Sequence, residues 1–452
     1  MHARFMTVDI TPEVPLPLAG YAGRGQEFTR VDAPLEANLA AFEGQDGAAV
    51  VLASVDTLFL DDRLADMIAR ASGVPRRNLL LVASHTHNAP SLAPSVPRLG
   101  RFDDSYGAAV AGRIAGAIRR LTDGPGVPVS ARFGKRQIPI NVNRRRPAWT
   151  VDYGAVLRGR RPRCGRTVAM ASWRRGIVDP DLRCIVFASG AGQVMAVLWS
   201  YCCHPAFYPS GLHVSPDFPG AVREALRDAF GRSCAVLYFP GFAGSAIPDI
   251  PFHMPRSARE LLSRALPFNP GLRSFTPAAY AAWTRELVRA AVACAEEAGE
   301  RALASGVVRR SAASAEVFLP KAPAAGPGIR LEAARIDFGD GLAVVAVNGE
   351  MIGEWAPLLG RLLPDTGLAT GYLAGPCLYV PTDDAVAAGG YEADRFRGAF
   401  GLEGEFAGGL DDIVRRTFSE LDGRAGRERR PAQEADRSRE VDSHDHQQRH
   451  RA

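Results

Sequence analysis

The chain has 452 residues, 46% hydrophobic and 23% charged, with a formal net charge of +5. This mixture excludes a wholly disordered chain, and the length allows a large buried core in one big unit or in two or three domains. No apolar leader precedes Asp9 and no apolar run approaches eighteen residues, so the sequence predicts no transmembrane segment and a cytoplasmic protein.

Along the chain, short apolar runs alternate with amphipathic ones, the pattern of an α/β protein whose sheets are covered by helices. The expected elements are a strand at Ala49–Val55, a helix at Asp62–Ala71, a strand at Leu79–Ser84 and a helix at Tyr106–Leu121. Strands at Cys184–Ala188 and Val194–Ser200 follow, then a helix at Gly220–Phe230, a strand at Ala235–Phe239 and a helix at Pro277–Ala298. A strand at Leu342–Asn348 and a helix at Leu410–Leu421 complete the set. Seven cysteines, with Cys202 and Cys203 adjacent and no CxxC pair, suit a reducing compartment better than a disulfide scaffold.

Charge is distributed unevenly. Between Lys135 and Arg175 lie twelve Lys/Arg and a single acid, Asp152. With little apolar periodicity, this basic insertion around residues 144–175 reads as a solvated loop or as an electrostatic funnel for an anionic substrate or an acidic carrier. It lacks the aromatic interleaving and recognition helix of a nucleic-acid binder. Past Leu421 large apolar residues all but vanish, which predicts one unit over 1–422 and a disordered charged tail over 423–452. His444, His446 and His450 of that tail are read as bystanders.

Four segments carry chemistry. The apolar run Leu79–Ala83 leads into Ser84-His85-Thr86-His87, and side chains two apart on a strand share a face, so both imidazoles could point into one pocket as metal ligands. Core histidines satisfied by hydrogen bonds are the competing reading. A second apolar run, Val194–Ser200, is followed by Tyr201-Cys202-Cys203-His204-Pro205, which puts His204 at a strand end, with His213 nine residues on. The third is Val347-Asn348-Gly349-Glu350, a carboxylate just past a strand, read as a cap or surface group or, beside the histidines, as an anionic ligand. The last is Leu378-Tyr379-Val380-Pro381-Thr382 with Gly389-Gly390-Tyr391-Glu392 beyond it, whose tyrosines taken alone read as packing residues.

Taken in this order, the four pieces resemble the neutral/alkaline non-lysosomal ceramidase family, in particular the catalytic domain of these zinc amidases. Val8-Asp9-Ile10-Thr11-Pro12 with Leu18-Ala19-Gly20-Tyr21 is similar to the family's opening, and Asn141-Val142-Asn143-Arg144 to its Asn-x-Asn-Arg element. The likeness spans about Thr7 to Gly408. It implies a mixed β-sheet core flanked by helices and a Zn²⁺ held by His85, His204, Glu350 and Tyr379. His87 and Arg144 would stand beside the reacting carbonyl, and Tyr391 would donate to the oxyanion.

Three departures qualify the resemblance. The family's Gly-Asp-x-Ser-Pro element reads Gly244-Ser245-Ala246-Ile247-Pro248 here, with Ile247 at the serine position. A side chain without a hydroxyl cannot be a nucleophile, so metal-activated water is the expected attacking group, with Ser245 a possible substitute. The chain also stops near where ceramidases begin an immunoglobulin-like domain, and it lacks their secretion signal. The resulting expectation is a zinc-dependent hydrolase of a linear amide other than ceramide, acting on a small-molecule or carrier-bound acyl substrate. Ester or lactone cleavage, amide formation or cyclisation at the same site, and a catalytically reduced ligand-binding protein stay open as alternatives.

Overall fold

Adjacent residues of the central strands belong to different cores, and this alternation organises the molecule. In Ala49–Val55, Val51, Ala53 and Val55 face one core while Val50 and Leu52 face another. Leu79–Ala83 divides in the same way, Leu79, Leu81 and Ala83 against Leu80 and Val82. Strands apolar on both faces must be covered on both. In this computed structural model, residues 1–44, 47–151, 158–161, 164–250, 270–272, 275–301, 308–321, 328–339, 341–362 and 366–421 are described.

Among these, fourteen strands join in one mixed sheet that folds back on itself. One half runs Ala235–Tyr238, Val194–Ser200, Asp181–Ser189 and Val127–Gln137, with Gly299–Arg301 attached to the last. The other runs His2–Asp9, Glu36–Glu43, Ala49–Val55, Leu79–Ala83, Gly367–Leu373, Leu342–Asn348, Ile329–Gly339, Arg309–Pro320 and Gly404–Phe406. Leu52, Val82, Ile336 and Val344 of this half share a core with Ile185, Phe187, Leu198 and Leu237 of the first. Helices Asp62–Ser72, Asp104–Thr122 and Leu410–Leu421 contribute to a second core with Val51, Leu81 and Val345. Phe218–Phe230 and Pro277–Glu296 close a third over Val186, Val197 and Trp199. The layers are therefore helix, sheet, sheet, helix, and the expected mixed β-sheet core flanked by helices is the architecture found.

Helix ends follow local chemistry. Asp61 and Asp103 cap their helices by accepting the Leu64 and Tyr106 amides, and Gly73 (φ 76°) closes the first helix on the Ala69 carbonyl. Within the large sheet, three strand pairs among the described residues are parallel: Ala49–Val55 with Leu79–Ala83, Leu342–Asn348 with Gly367–Leu373, and Val194–Ser200 with Ala235–Tyr238. The candidate ligands leave the carboxyl ends of strands in these pairs, where ligands gather in open α/β sheets.

The reading of the arginine-rich segment as a loop is corrected. Asn141–Val151 and Cys164–Trp173 are antiparallel strands of a separate small sheet with Ala246–Pro248. Their pattern is weak because the pair is half-exposed and Asn141–Val151 carries three consecutive arginines in place of an apolar alternation. Residues 152–157, 162–163 and the predicted tail at 423–452 lie outside the described residues.

Glu36–Glu43 escaped the apolar pattern because it opens with a buried carboxylate. Arg227 grips Glu36 through two hydrogen bonds of 2.8 Å, and Arg223 bridges Glu36 (3.2 Å) and Asp56 (2.7 Å), tying the Phe218–Phe230 helix to the sheet. Arg227→Ala leaves Glu36 buried and short of a counter-ion, and urea denaturation should show a loss of roughly 3–5 kcal/mol. Replacing both residues by apolar ones of similar volume should cost less.

Candidate metal centre

The chain leaves the Leu79–Ala83 strand before the histidines, which corrects the expectation that both sit on a strand face. His85 turns through the left-handed region (φ 63°), a conformation that a non-glycine residue holds only when its surroundings enforce it. Here they do. The His87 amide donates to the Pro205 carbonyl (3.1 Å), the Thr86 hydroxyl to Ser215 (2.8 Å), and the Asn88 amide to Ser210 (2.7 Å) and His213 (2.8 Å). The turn is thereby fastened to the segment following His204, and the rings of His85 and His87 meet edge-on with centroids 5.1 Å apart.

His204 is placed by its own amide, which donates to the Ala246 carbonyl (3.0 Å). Glu350 follows Gly349, whose φ of 82° turns the chain so tightly that an added Cβ would lie 2.9 Å from the Leu378 carbonyl oxygen. Glu350–Met351 then pairs in parallel with Tyr379–Val380, Glu350 opposite Tyr379. Residues 29 positions apart thus become cross-strand neighbours.

His85, His204 and Glu350 converge at about 1% exposure each. His85 Nδ1 donates to the Leu58 carbonyl (2.9 Å) and His204 Nδ1 to the Ala243 carbonyl (3.2 Å). A carbonyl only accepts, so either ring, when neutral, carries its proton on Nδ1 and presents a lone pair at Nε2. The two Nε2 atoms lie 3.1 Å apart, and Glu350 Oε2 is 3.3 Å from one and 3.8 Å from the other. Two lone pairs and a carboxylate this close repel unless a proton or a cation lies among them. A proton on His204 is disfavoured, because burial and then the neighbouring Arg144, His85 and His87 hold it well below the usual histidine range. Nitrogen and oxygen donors around so small a gap suit a divalent transition metal.

His87 completes a three-histidine cluster in which one ring nitrogen from each residue lies within 4.8 Å of the other two. Neither of its buried nitrogens makes a well-formed hydrogen bond, and Gly20 (φ 112°) packs so closely that any side chain there would strike the ring. Its pKa is likewise lowered, first by burial and then by the charge of its neighbours.

Around this cluster lies a hydrogen-bonded frame. Arg144 Nη2 donates to the Tyr379 hydroxyl (3.0 Å) and Nε to Glu392 Oε1 (2.8 Å), while Arg145 Nη1 donates to Glu392 Oε2 (3.0 Å). Consecutive strand residues point to opposite faces, but a register break between Asn143 and Arg145 lets both arginines hold one carboxylate. Burial and then Glu350 push the Tyr379 phenol well above its usual pKa, so it carries its proton. Tyr391 stacks edge-on to Tyr379 at 5.8 Å, with the Arg144 guanidinium 6.0 Å from its ring. All seven residues singled out from the sequence therefore lie in one neighbourhood.

Several contributors escaped sequence reading. Tyr372 stacks on His85 at 4.2 Å, in the left-handed region (φ 62°), and its hydroxyl donates to Glu350 (3.5 Å); Phe59 packs edge-on against the same imidazole. Glu392 adjoins the Gly389-Gly390-Tyr391 motif and was legible only as a neighbour. The Leu58 and Ala243 carbonyls are invisible in principle, since any residue supplies one. Ser245 is bound on every side: its hydroxyl donates to Glu354 Oε2 (2.6 Å) and accepts from the Gly353 amide (2.9 Å) and Asn143 Nδ2 (3.4 Å). Ile247 is buried in the strand paired with Val142.

A helix–sheet–sheet–helix protein with a buried histidine cluster at its strand ends defines a structural class, and comparison with known proteins identifies it. No family model matches the chain, and no curated protein sequence does. Among solved structures, the neutral ceramidase of Pseudomonas aeruginosa superposes with a TM-score of 0.65 at 16% identity, over 95% of this chain and 75% of that one. A ceramidase complexed with C2 gives the same TM-score and identity, over 95% and 76%. The protein has a neutral-ceramidase-like fold.

A pH prediction follows from the two depressed histidines. Unfolded, His87 and His204 take up protons near pH 6.5; folded, they stay neutral to well below that, so the unfolded state binds more protons and stability falls as pH drops. Denaturant titration of the chelator-treated protein should be flat above about pH 7.5 and lose roughly 1.4 kcal/mol per pH unit per histidine below about 6.5.

Proposed function

We propose that this protein is a zinc-dependent hydrolase of linear amides, with His85, His204 and Glu350 holding the metal and Tyr379 as an additional, displaceable ligand. The observation that carries this reading is the pair of buried Nε2 lone pairs 3.1 Å apart beside a carboxylate, each imidazole oriented by a main-chain carbonyl. The ceramidase-like fold supports it. A divalent ion there supplies Lewis-acid polarisation and brings the pKa of water towards neutrality.

The chain's own residues do the rest. Arg144, fixed by Glu392, aims a delocalised cation at the space beside Tyr379, where the carbonyl oxygen of a bound amide gains negative charge as it becomes tetrahedral. Tyr391, a phenol whose pKa burial raises, keeps its proton and donates to the same oxygen. Such groups favour the transition state over the planar amide. His87, neutral and without a strong partner, is free to take a proton from the attacking water and pass it to the departing amine. No acyl-enzyme is required, since Ile247 has no hydroxyl and that of Ser245 is committed to Glu354.

Elemental analysis of the purified protein, together with hydrolysis assays on N-acyl amines, tests the reading. About one zinc per chain is expected, with His204→Ala losing both metal and turnover; hydrolysis that survives in metal-free protein would overturn it. Arg144→Gln should lower kcat on the order of 10²–10³-fold with metal retained. Ser245→Ala separates the two nucleophiles: water attack predicts kcat within threefold of the parent, at a stability cost of about 1–3 kcal/mol from the lost bond to Glu354 and the Gly353 amide left without its acceptor, whereas an acyl-enzyme predicts complete loss.

A further inference from the structure

Beside Tyr391 a groove of about 470 Å³ opens along the arginine-rich strands, lined by Thr150, Thr167, Ala169, Met170, Tyr391 and Arg395. Tyr391 joins it to the metal centre, being 5.8 Å from Tyr379 ring to ring. Arg395 is exposed, and its guanidinium is fixed from one side only, by donation to the Val168 carbonyl (3.1 Å). Arg146 is exposed as well and pairs across the strands with Ala169, on the face that also carries Thr167 and Thr150. Among the described residues neither arginine has a carboxylate partner. Their neighbours do: Arg144 and Arg145 hold Glu392, Arg174 holds Asp249 and Arg397 holds Asp394. Arg395, which lines the groove, and Arg146, on the strand face beside it, thus carry charges that no carboxylate among the described residues offsets.

We propose that this groove binds an anionic group on the substrate, a carboxylate or a phosphate, through Arg395 and Arg146, with the threonine hydroxyls as further donors. The substrates are then N-acyl amides with a negative charge outside the scissile bond. A planar, forked guanidinium suits either anion, and a second arginine makes recognition bidentate or better. The inference rests on the amide-hydrolase reading for the identity of the substrate, but not for the presence of an anion site.

The test uses the metal-loaded full chain and amides sharing one acyl group: N-acylglycine, its neutral primary amide, an N-acylethanolamine and the phosphate monoester of that alcohol. The anionic members should exceed their neutral counterparts at least tenfold in kcat/KM, and whichever anion leads identifies the source of the charge. The double variant Arg146→Gln/Arg395→Gln should erase that preference mainly through KM and spare the neutral amides, and Arg395→Lys should retain part of it. Arg160→Gln/Arg161→Gln, between the two strands, should change nothing. Equal use of anionic and neutral substrates, or an equal loss on both in the double variant, overturns the proposal. If no amide is cleaved, the hydrolase reading fails alone, and calorimetric titration with N-acylglycine and its primary amide decides the groove. Anion-selective binding lost in the double variant upholds the site; equal binding of the two sinks it.

Discussion

Two imidazoles with their lone pairs turned towards each other form the constraint on which the rest of this structure depends. Each ring is held by a main-chain carbonyl, Leu58 for His85 and Ala243 for His204, so neither can rotate away from the other without losing a buried hydrogen bond. With Glu350 against both, the arrangement is costly without a positive charge in its midst. Much of the surrounding architecture prevents its relaxation: Phe59 and Tyr372 pack either way against His85, and both His85 and Tyr372 hold left-handed backbones. Backbone strain of this kind persists where neighbouring structure over-determines it, and such places cluster at functional sites.

The fold explains how residues so far apart in sequence arrive together. Each of the three parallel pairs of the large sheet sends a short irregular segment from a strand end towards the site. His85 follows Leu79–Ala83, His204 follows Val194–Ser200, Glu350 follows Leu342–Asn348, and Tyr379 arrives by pairing with Glu350. Because the strands are apolar on both faces and covered on both, these endings are set on a rigid platform. Rigid elements place ligands more closely than loops do. The contributors that lie off this platform, His87 in its turn and Arg144 on the small separate sheet, are each fastened by a backbone hydrogen bond, to Pro205 and Ser245.

Legibility in the sequence tracked apolar content. Ala49–Val55, Val194–Ser200, Leu342–Asn348 and the helix Leu410–Leu421 were readable to the residue, since doubly covered strands and amphipathic helices leave strong patterns. Arg309–Pro320 and Ile329–Gly339 were not: they are half-exposed and rich in charged and small side chains, so their pairing comes from neighbours rather than intrinsic preference. The site residues were readable because histidines and a carboxylate stood just past apolar runs and in an order resembling a known family. The reason offered for His85 and His87, a shared strand face, was wrong in mechanism, because the strand ends at Ala83. The turn that replaces it depends on hydrogen bonds to residues 205–215, long-range contacts with no local signature.

The charge of the buried centre closes the account. Glu350, Glu392 and the half-buried Glu354 face two arginines, Arg144 and Arg145, leaving one negative charge in excess. In the proposed hydrolase a divalent cation would convert that excess into a single positive charge, which an oxyanion developing beside Arg144 would neutralise in the transition state and which a neutral amide in the ground state would not. Glu392 is central to this balance, because its single carboxylate lies between two adjacent arginines that would otherwise repel each other. An arginine held in this way keeps its direction and surrenders part of its charge. Additional positive potential for an anionic substrate must therefore come from outside the frame, and Arg146 and Arg395 are placed to supply it.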